Sequence, residues 1–293
     1  MKLPRILLYA FLLLIYWNCS TEKKKSEATV LAPRLFDLNV PSQKEAFDQW
    51  VRANVVSSNN DTTAKKYESA SKFYFTGDSS IAALCIFEDQ AFEVYSQCLG
   101  EWGGALLFVD KKNKKNAHYL PSTCPKMIDF QNGKYVITST LAHLSGSANI
   151  ITLSDPRQLP MFQPGKSFSE QTPAPNHLIT SIFDTTGITL NVYYPYKNRH
   201  FIVFSEYDTA YVGEVKSGKM IDKKPLFPHG IWSYGHRMNR IKHGIYISDI
   251  QHRSSMSDSR ETTTESVQGA IYLKQDTLLV GYKHAVEVKK KNE

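Results

Sequence analysis

The segment Met127–Ile137 reads MIDFQNGKYVI and places an Asn-Gly pair between two short runs of apolar and aromatic residues. Asn132 and Gly133 both tolerate positive φ, which the tight turn of a two-residue β-hairpin requires. Tyr135, Val136 and Ile137 are residue types that favour strands. The segment therefore predicts two antiparallel strands that meet at residues 132–133.

The same pattern returns later in the chain. Met238–Ser248, MNRIKHGIYIS, shares with the first segment a methionine, an apolar residue three positions on, a glycine at six and a tyrosine at eight. Ile182–Leu190 is predicted to be a looser version of the same hairpin, turning at Gly187. Together with Gly77, the turn glycines are 56, 54 and 57 residues apart, which indicates a repeated unit.

A second element of the unit is a strand that an alanine leads. Its copies are Ala105–Asp110, Ala148–Leu153, Ala210–Val215 and Ala270–Lys274. Four copies of a four-strand unit, each near 55 residues, are typical of propeller blades, and the mature part resembles a β-propeller-like repeat protein of no specific family. We expect an all-β fold, a small propeller of four to five blades, with residues 30–72 available for the fifth. The alternative is a β-sandwich, which also gives alternating strands with turns every 8–12 residues.

Three segments depart from the repeat. Ser42 and Glu45 have the spacing of a capping box, and apolar residues at helical spacing follow them at Ala46, Phe47, Trp50 and Val51, which predicts a short helix over about 43–54. Residues 155–176 contain five prolines and cannot form a central strand. Residues 251–268 contain almost nothing to bury, and we expect them to be a disordered loop.

The first 20 residues carry an export signal. Lys2 and Arg5 precede the apolar run Leu12–Trp17, which stops at Asn18-Cys19 and is followed by Ser20 and a lysine tract. The run resembles the signal of bacterial lipoproteins with a relaxed lipobox, which implies that Cys19 becomes the first mature residue and carries the lipid, palmitate included. An ordinary secretory signal or an uncleaved anchor are the alternatives. We expect an exported, lipid-anchored protein of the cell envelope, with the outer membrane favoured over the inner one.

These features divide the chain into four parts. They are a lipoprotein signal peptide over 1–18, a flexible tether over 19–40, an N-terminal helix and loop over 41–71, and the β-repeat domain over 72–293.

The net charge is +7, and it falls to +5 when Lys2 and Arg5 leave with the signal. An exported chain does not meet nucleic acid, so no nucleic-acid partner is expected. The lipid on Cys19 makes the membrane a partner, and we also expect a protein or glycan partner. The positive charge leaves anionic polysaccharides and lipid head groups as further candidate partners.

Three cysteines remain once Cys19 is lipidated. Cys85 lies inside an apolar run and is interpreted as a small buried hydrophobic residue. Cys98 and Cys124 lie at segment ends beside Gly100 and Pro125, so we predict a Cys98–Cys124 disulfide. No CxxC or HExxH motif is present, and neither a cofactor nor a metal is expected.

Histidines recur at His229, His236, His243 and His252 in a region that also holds aromatic and basic residues. Glycines in this region oppose a helix that would align them, and a metal site receives little support. We predict instead a ligand-facing rim, with Trp232, Tyr234, His236 and Arg237 as its candidates.

Glu206, Asp208 and Asp249 end apolar strands in corresponding parts of two repeats and are weak catalytic candidates. Propeller glycosidases use carboxylates from different blades as acid and base, but acidic residues at strand ends are mostly turn-formers. The first hypothesis is therefore a membrane-anchored binding protein for a macromolecule or glycan. The alternatives are a propeller-type carbohydrate hydrolase and a structural envelope component. Trp102, Trp232 and Tyr234 should be exposed at a pocket mouth in a sugar-binding protein and buried between blades in a structural one.

Overall fold

The computed structural model describes residues 33–54, 84–143, 145–227, 230–231, 237–241, 244–257, 261–274 and 277–290. These described residues all belong to one unit of the chain. The described residues form one α-helix and seventeen strands, so the expectation of an all-β fold is confirmed.

The strands build four sheets, which are antiparallel and follow chain order except for β1. Sheet 1 contains β2 (Leu84–Glu88), β3 (Phe92–Cys98), β4 (Gly104–Asp110) and β5 (Ala117–Pro121). Sheet 2 contains β6 (Pro125–Gln131), β7 (Lys134–Leu141), β8 (Ser147–Leu153) and β9 (Ile179–Thr186). Sheet 3 contains β10 (Thr189–Tyr196), β11 (Arg199–Glu206), β12 (Thr209–Lys216) and β13 (Lys219–Phe227). Sheet 4 contains β14 (Arg237–Ile241), β15 (Gly244–Ser257), β16 (Glu261–Lys274) and β17 (Thr277–Lys290), and β1 (Pro33–Asp37) joins it in parallel beside β17.

Two of the predicted hairpins are confirmed and one is wrong. Asn132 and Gly133 have φ values of 50° and 77° and join β6 to β7, and β14 pairs with β15 from Ile241↔Gly244 onward. Gly187, in contrast, lies between β9 of sheet 2 and β10 of sheet 3, which do not pair. Its N–H donates to Gly146 O at 3.0 Å, so this glycine links two sheets. Gly77 lies outside the described residues.

The alanine-led strands are the third strand of every sheet. Ala105, Ala148, Ala210 and Ala270 lie in β4, β8, β12 and β16 and are at most 8% exposed. The third strand of each sheet pairs with a strand on both edges. The small side chain of alanine lets the neighbouring sheet pack close to it. The described residues thus contain three four-stranded sheets and one sheet of five strands, and the prediction that Ala270 leads its strand is wrong, because β16 begins at Glu261.

Neighbouring sheets share their apolar cores. Phe92 and Phe108 of sheet 1 meet the ring of Tyr135 of sheet 2, with ring centroids 6.2 and 5.5 Å apart and edge-to-face planes. A larger cluster joins Phe183 of sheet 2, several strands of sheet 3 and Val280 of sheet 4. Burial of such apolar surface, at about 25 cal/mol per Å², is the main force that holds the sheets together.

The N-terminal segment packs on sheet 4. The helix α1 (Pro41–Asn54) buries Phe47, whose ring lies 5.7 Å from that of Phe36 in β1. Ala46 and Val51 pack beside it, while Trp50 is 39% exposed. No helix in the described part of the chain is long and apolar enough to cross a membrane.

Three expectations for this segment are wrong. The tether cannot reach residue 40, because Pro33–Asp37 pairs with Leu278–Tyr282 of β17. Residues 33–54 do not begin a fifth blade, because β1 adds to sheet 4. Ser42 is not the helix cap: the helix starts one residue earlier at Pro41, whose fixed φ and missing N–H suit a first helical position.

The two irregular segments have different outcomes. Residues 155–176 contain no central strand, as expected, and form short 3-10 turns that cover the edge of β5, where Tyr119 N donates to Pro160 O. The expectation of a disordered loop over 251–268 is wrong. Residues 250–257 of β15 pair with 262–269 of β16 without interruption, and β16 pairs with β17 along the same stretch. These polar residues need no core, because backbone pairing on both sides of β16 satisfies their hydrogen bonds.

In sheets 1, 2 and 3, the turns between the second and third strands lie on one side. Glu101 Oε2 in the β3–β4 turn lies 3.2 Å from Nδ1 of His143, which follows β7. Gly146 of the β7–β8 turn contacts Gly187, and β10 starts there beside the end of β11. We call this the turn side.

Candidate functional site

A cleft of about 610 Å³ lies between sheets 1 and 2 on the turn side. Its walls are the β3–β4 turn, the segment after β5, the adjoining ends of β7, β8 and β9, and the turn at Phe168. Its volume falls within the range of small-molecule sites.

Trp102 stands at the mouth of the cleft. It ends the 3-10 turn Gly100–Trp102 and is 80% exposed. Gly100 and Gly103 lie on either side of it with φ values of 64° and 97°, which residues other than glycine rarely adopt. Leu99 N donates to Gly103 O at 2.9 Å. The turn therefore presents a large apolar ring to solvent instead of burying it.

A disulfide fixes the base of this turn. The structure joins Cys98 to Cys124, with their Cα atoms 4.2 Å apart. Cys98 ends β3 and Cys124 precedes β6, so the bond ties the Trp102 turn to sheet 2. Gly104 lies between them, and a Cβ there would come within 2.4 Å of Gln97 O. Cys85 is a free thiol that is half-buried, so its burial is less complete than predicted, and desolvation raises its pKa.

A row of polar side chains crosses the floor of the cleft. Ser139 in β7 pairs with Asn149 in β8, and Asn149 pairs with Asp184 in β9. Residues directly opposite on neighbouring strands point to the same face, with Cβ atoms about 5 Å apart. Ser122 lies beside these residues, and its hydroxyl is 2.5 Å from that of Ser139. We call Ser139, Asn149 and Asp184 the polar row.

The aromatic residues Tyr119 and Phe168 also line the cleft. Phe162 and Phe168 both stack on Tyr119, with centroids 6.3 and 6.2 Å away. Gln171 holds the proline-rich segment in place: its amide accepts from Gln163 N and donates to the carbonyls of Gln163 and Lys166. Burial raises the pKa of the Tyr119 phenol above its usual value.

The three carboxylate candidates are not seen to share a site. Glu206 ends β11 and forms an ion pair with Lys223, and Asp208 is an exposed residue of the β11–β12 turn. Asp249 lies in β15 of another sheet, at an irregularity in its pairing. None of the three lines the cleft between sheets 1 and 2.

The predicted rim falls mainly on residues that the structure does not describe. Trp232, Tyr234 and His236 lie outside the described residues, as do His229 and His243. Arg237 begins β14 opposite Ser248, and His252 pairs with Val267. Within the described ranges, no three His, Cys, Asp or Glu side chains come together as metal ligands.

Sequence reasoning named Trp102 but missed the polar row. Ser139, Asn149 and Asp184 are separated by 10 and 35 residues, and strand register alone makes them neighbours. Alternation along a strand predicts that Ser147 and Asn149 share a face, yet it does not tell which strand lies opposite.

Comparisons of this chain with protein-family models, with curated proteins and with solved structures found no match, so its function has to be argued from the cleft itself.

Proposed function

We propose that this protein is an exported envelope lipoprotein whose β domain binds a glycan in the cleft between sheets 1 and 2. The observation that carries the proposal is Trp102, 80% exposed at the mouth of a polar-floored cleft. The indole has an apolar face and a polar N–H, and its place at the mouth of a cleft suits it to stack on a bound ligand. Carbon-bound hydrogens make one face of a sugar ring apolar, which suits stacking on indole.

The cleft favours binding over hydrolysis. Most glycosidases place two carboxyl groups about 5–9.5 Å apart on either side of the scissile bond. Among the described lining residues, Asp184 is the one carboxylate. A structural envelope component is the third hypothesis, and it gives no reason to leave Trp102 in solvent.

A sedimentation experiment tests glycan binding. Full-length protein in detergent is mixed with insoluble polysaccharides of different linkage, peptidoglycan included, and centrifuged. We expect the protein to sediment with at least one of them and Trp102→Ala to stay in the supernatant. Trp50→Ala, a change to a partly exposed tryptophan on α1, is the matched control and should sediment like the unaltered chain. Retention of Trp102→Ala in the pellet would exclude this cleft as the glycan-binding site.

The lipid anchor is proposed from the sequence alone. Radiolabelled palmitate should enter the protein, and Cys19→Ala should abolish the label and release the protein from the membrane fraction. Protease treatment of intact and lysed cells then distinguishes a surface location from a periplasmic one. An unchanged membrane fraction for Cys19→Ala would contradict the lipoprotein proposal.

We also propose that the four sheets are blades of a small propeller. Four sheets in chain order, each a meander with a buried alanine in its third strand, support this over a two-sheet sandwich. The pairing of β1 with β17 supports it further, because it joins the start of the domain to its last sheet.

Spin-label distances test ring closure. Labels at Lys112, Ser217 and Thr277 occupy equivalent positions after the third strands of sheets 1, 3 and 4. In a closed ring of four, sheet 1 is nearer to sheet 4 than to sheet 3, so the 112–277 distance should be shorter than 112–217. The reverse order would indicate an open stack.

A further inference from the structure

We infer that the turn side carries a second aromatic subsite at Tyr207, so that the ligand is a chain of several sugar units and not a single ring. This inference rests on the proposed glycan-binding function and adds the class of ligand. Tyr207 and Trp102 are 91% and 80% exposed, more than any other large apolar side chain of the described residues. Single exposed rings are common on protein surfaces, so the case for Tyr207 depends on where it lies and how it is held.

The turn that carries Trp102 contacts sheet 2. Glu101, the residue before Trp102, lies 3.2 Å from His143, which follows β7. Sheets 1 and 2 also share an apolar core, so the two sheets pack directly against each other. The turns after β3 and β7 therefore lie side by side.

The same side continues onto sheet 3. Gly146, at the end of the β7–β8 connection, accepts from Gly187 N at 3.0 Å, just before β10. Thr189 at the start of β10 pairs with Ser205 of β11, two residues before Tyr207. These contacts run from sheet 1 over sheet 2 to sheet 3, so the turn of Tyr207 lies on the turn side, as the turn of Trp102 does.

Trp102 and Tyr207 are too far apart to contact one sugar ring. Sheet 2 lies between sheets 1 and 3 and shares an apolar core with each of them. Packed sheets are about 10 Å apart, which places the two turns about 20 Å from each other. An extended chain of sugar units can reach both turns. Once one unit is bound at Trp102, the contact at Tyr207 is intramolecular and adds affinity.

The backbone at Tyr207 has a conformation that bulky residues rarely adopt. Tyr207 takes the first position of the two-residue turn between β11 and β12, with a φ of 49°. Asparagine and glycine favour such positions. The segment beneath the turn holds it in place: Ser205 Oγ accepts from Ile231 N at 2.6 Å, and a Cβ on Gly230 would come within 2.9 Å of Tyr207 O. A firmly held turn that keeps a tyrosine here, with its ring in solvent, points to a role for the ring.

Each of the two rings has a carboxylate beside it. Glu101 precedes Trp102 and Asp208 follows Tyr207, and all four side chains are exposed. A carboxylate accepts from sugar hydroxyls, while the neighbouring aromatic ring stacks on the apolar face of the same unit. Sheets 1 and 3 thus present the same pair of groups on the turn side.

Calorimetry with short and long oligosaccharides tests the inference on the full-length protein in detergent. The probes are cellobiose, maltose and chitobiose, each compared with its six-unit chain: cellohexaose, maltohexaose and chitohexaose. We expect at least one six-unit chain to bind at least tenfold more tightly than its disaccharide. Tyr207→Asn should weaken binding of that long chain at least fivefold and leave binding of the disaccharide unchanged. Trp102→Ala should weaken binding of both lengths.

Two controls separate lost contacts from a damaged fold. Asparagine suits the backbone of this turn, so Tyr207→Asn should keep or raise the guanidinium midpoint, and unfolding then does not explain a lower affinity. Lys197 takes the first position of the β10–β11 turn, at the other end of sheet 3, with the same φ of 49°. Lys197→Asn is therefore the matched control and should bind both lengths like the unaltered chain.

The outcomes separate the inference from the function on which it rests. Full affinity of Tyr207→Asn for the six-unit chain would overturn the inference and leave glycan binding at Trp102 in place. Equal weakening of the disaccharide and the long chain would also overturn it, because Tyr207 would then act through the cleft. No binding of any probe by the unaltered chain would overturn both the inference and the proposed function.

Discussion

Burial of the Lys126 ammonium destabilises the folded protein. It lies in β6 at an irregularity in the pairing with β7, and burial lowers its pKa to about 8. Below that pH it is charged in both the folded and unfolded chain, and the folded state bears the full cost of desolvating the ammonium. Between pH 8 and its unfolded value near 10.5, the unfolded chain binds more protons, so stability rises with pH.

Lys126→Met should therefore stabilise the protein at neutral pH. We expect a gain of about 2 kcal/mol at pH 7, after allowance for the part of the side chain that water reaches, and a smaller gain at pH 9.5. Denaturant unfolding at the two pH values measures this. Lys134→Met, at an exposed position one strand away, is the control and should change little at either pH. A loss of stability at pH 7 would show that a favourable interaction of the lysine outweighs its burial.

Glu214 and Arg199 form an ion pair within sheet 3. Arg199 Nε donates to Glu214 Oε1 at 2.9 Å, and a second bond joins Nη2 to Oε2. These bonds hold the pKa of Glu214 below its usual value, so the pair stabilises above about pH 4.5 and the contribution is lost as pH falls through the folded-state pKa. Glu214→Gln should cost about 1–3 kcal/mol at pH 7 and less at pH 3.5, as measured by denaturant unfolding. Glu206→Gln breaks a more exposed pair with Lys223 and should cost under about 1 kcal/mol.

Among the elements, the turn that carries Trp102 depends on the disulfide. The bond closes a loop of 26 residues, for which chain entropy predicts a stabilisation of about 3.5 kcal/mol. Cys98→Ser with Cys124→Ser should lower the guanidinium midpoint accordingly and weaken glycan binding, because the Trp102 turn loses its tie to sheet 2. Cys85→Ala removes a thiol but no crosslink, so it is the control. It should lower the guanidinium midpoint less than the double variant does. Binding that persists at full strength in the double variant would mean that Gly100 and Gly103 suffice to position the ring.

The outer part of sheet 4 should be its least stable region. β14 pairs with β15 up to Ser248, and β1 pairs with β17 up to Tyr282, so three strands continue without these neighbours. The inner residues Ile271–Leu273 are buried, whereas Val286 and Val288 are 57% and 54% exposed. Hydrogen exchange should be faster by orders of magnitude in residues 283–290 than in 278–281. Equal protection in both segments would indicate that something covers the outer strands.

These elements show where sequence patterns succeed and fail. Asn132-Gly133 predicted its hairpin because both residues of the turn need positive φ, a local property. Gly187 has a φ of 88° as well, but a glycine does not reveal whether the strands around it pair. Residues 251–268 were mistaken for a loop because their polar sequence lacks the alternation of apolar and polar residues that identifies a strand. The polar row, for its part, required the register of three strands.

At the scale of the whole molecule, β1 connects the beginning of the domain to its end. Phe36 is 9% exposed and packs with Phe47 and Leu279, so this short strand holds α1 and sheet 4 together. We expect the sheets to unfold as one cooperative unit. In that case, a weaker contact between Phe36 and its neighbours lowers the stability of sheet 1 as much as that of sheet 4, although sheet 1 is distant in sequence from β17.

Phe36→Ala is the variant that tests this cooperativity. The lost burial should cost about 2–4 kcal/mol, less than a fully enclosed phenylalanine, because β1 is an edge strand. Leu35→Ala, at the neighbouring position that is 45% exposed, should cost under about 1 kcal/mol. Hydrogen exchange at Leu106–Phe108 and at Ile271–Leu273 reports on the two sheets separately. Equal loss of protection at both sites is expected, since β1 then stabilises the entire domain. Loss of protection confined to sheet 4 would mean that the last sheet unfolds by itself. The pairing of β1 with β17 would then stabilise sheet 4 alone and not the whole domain.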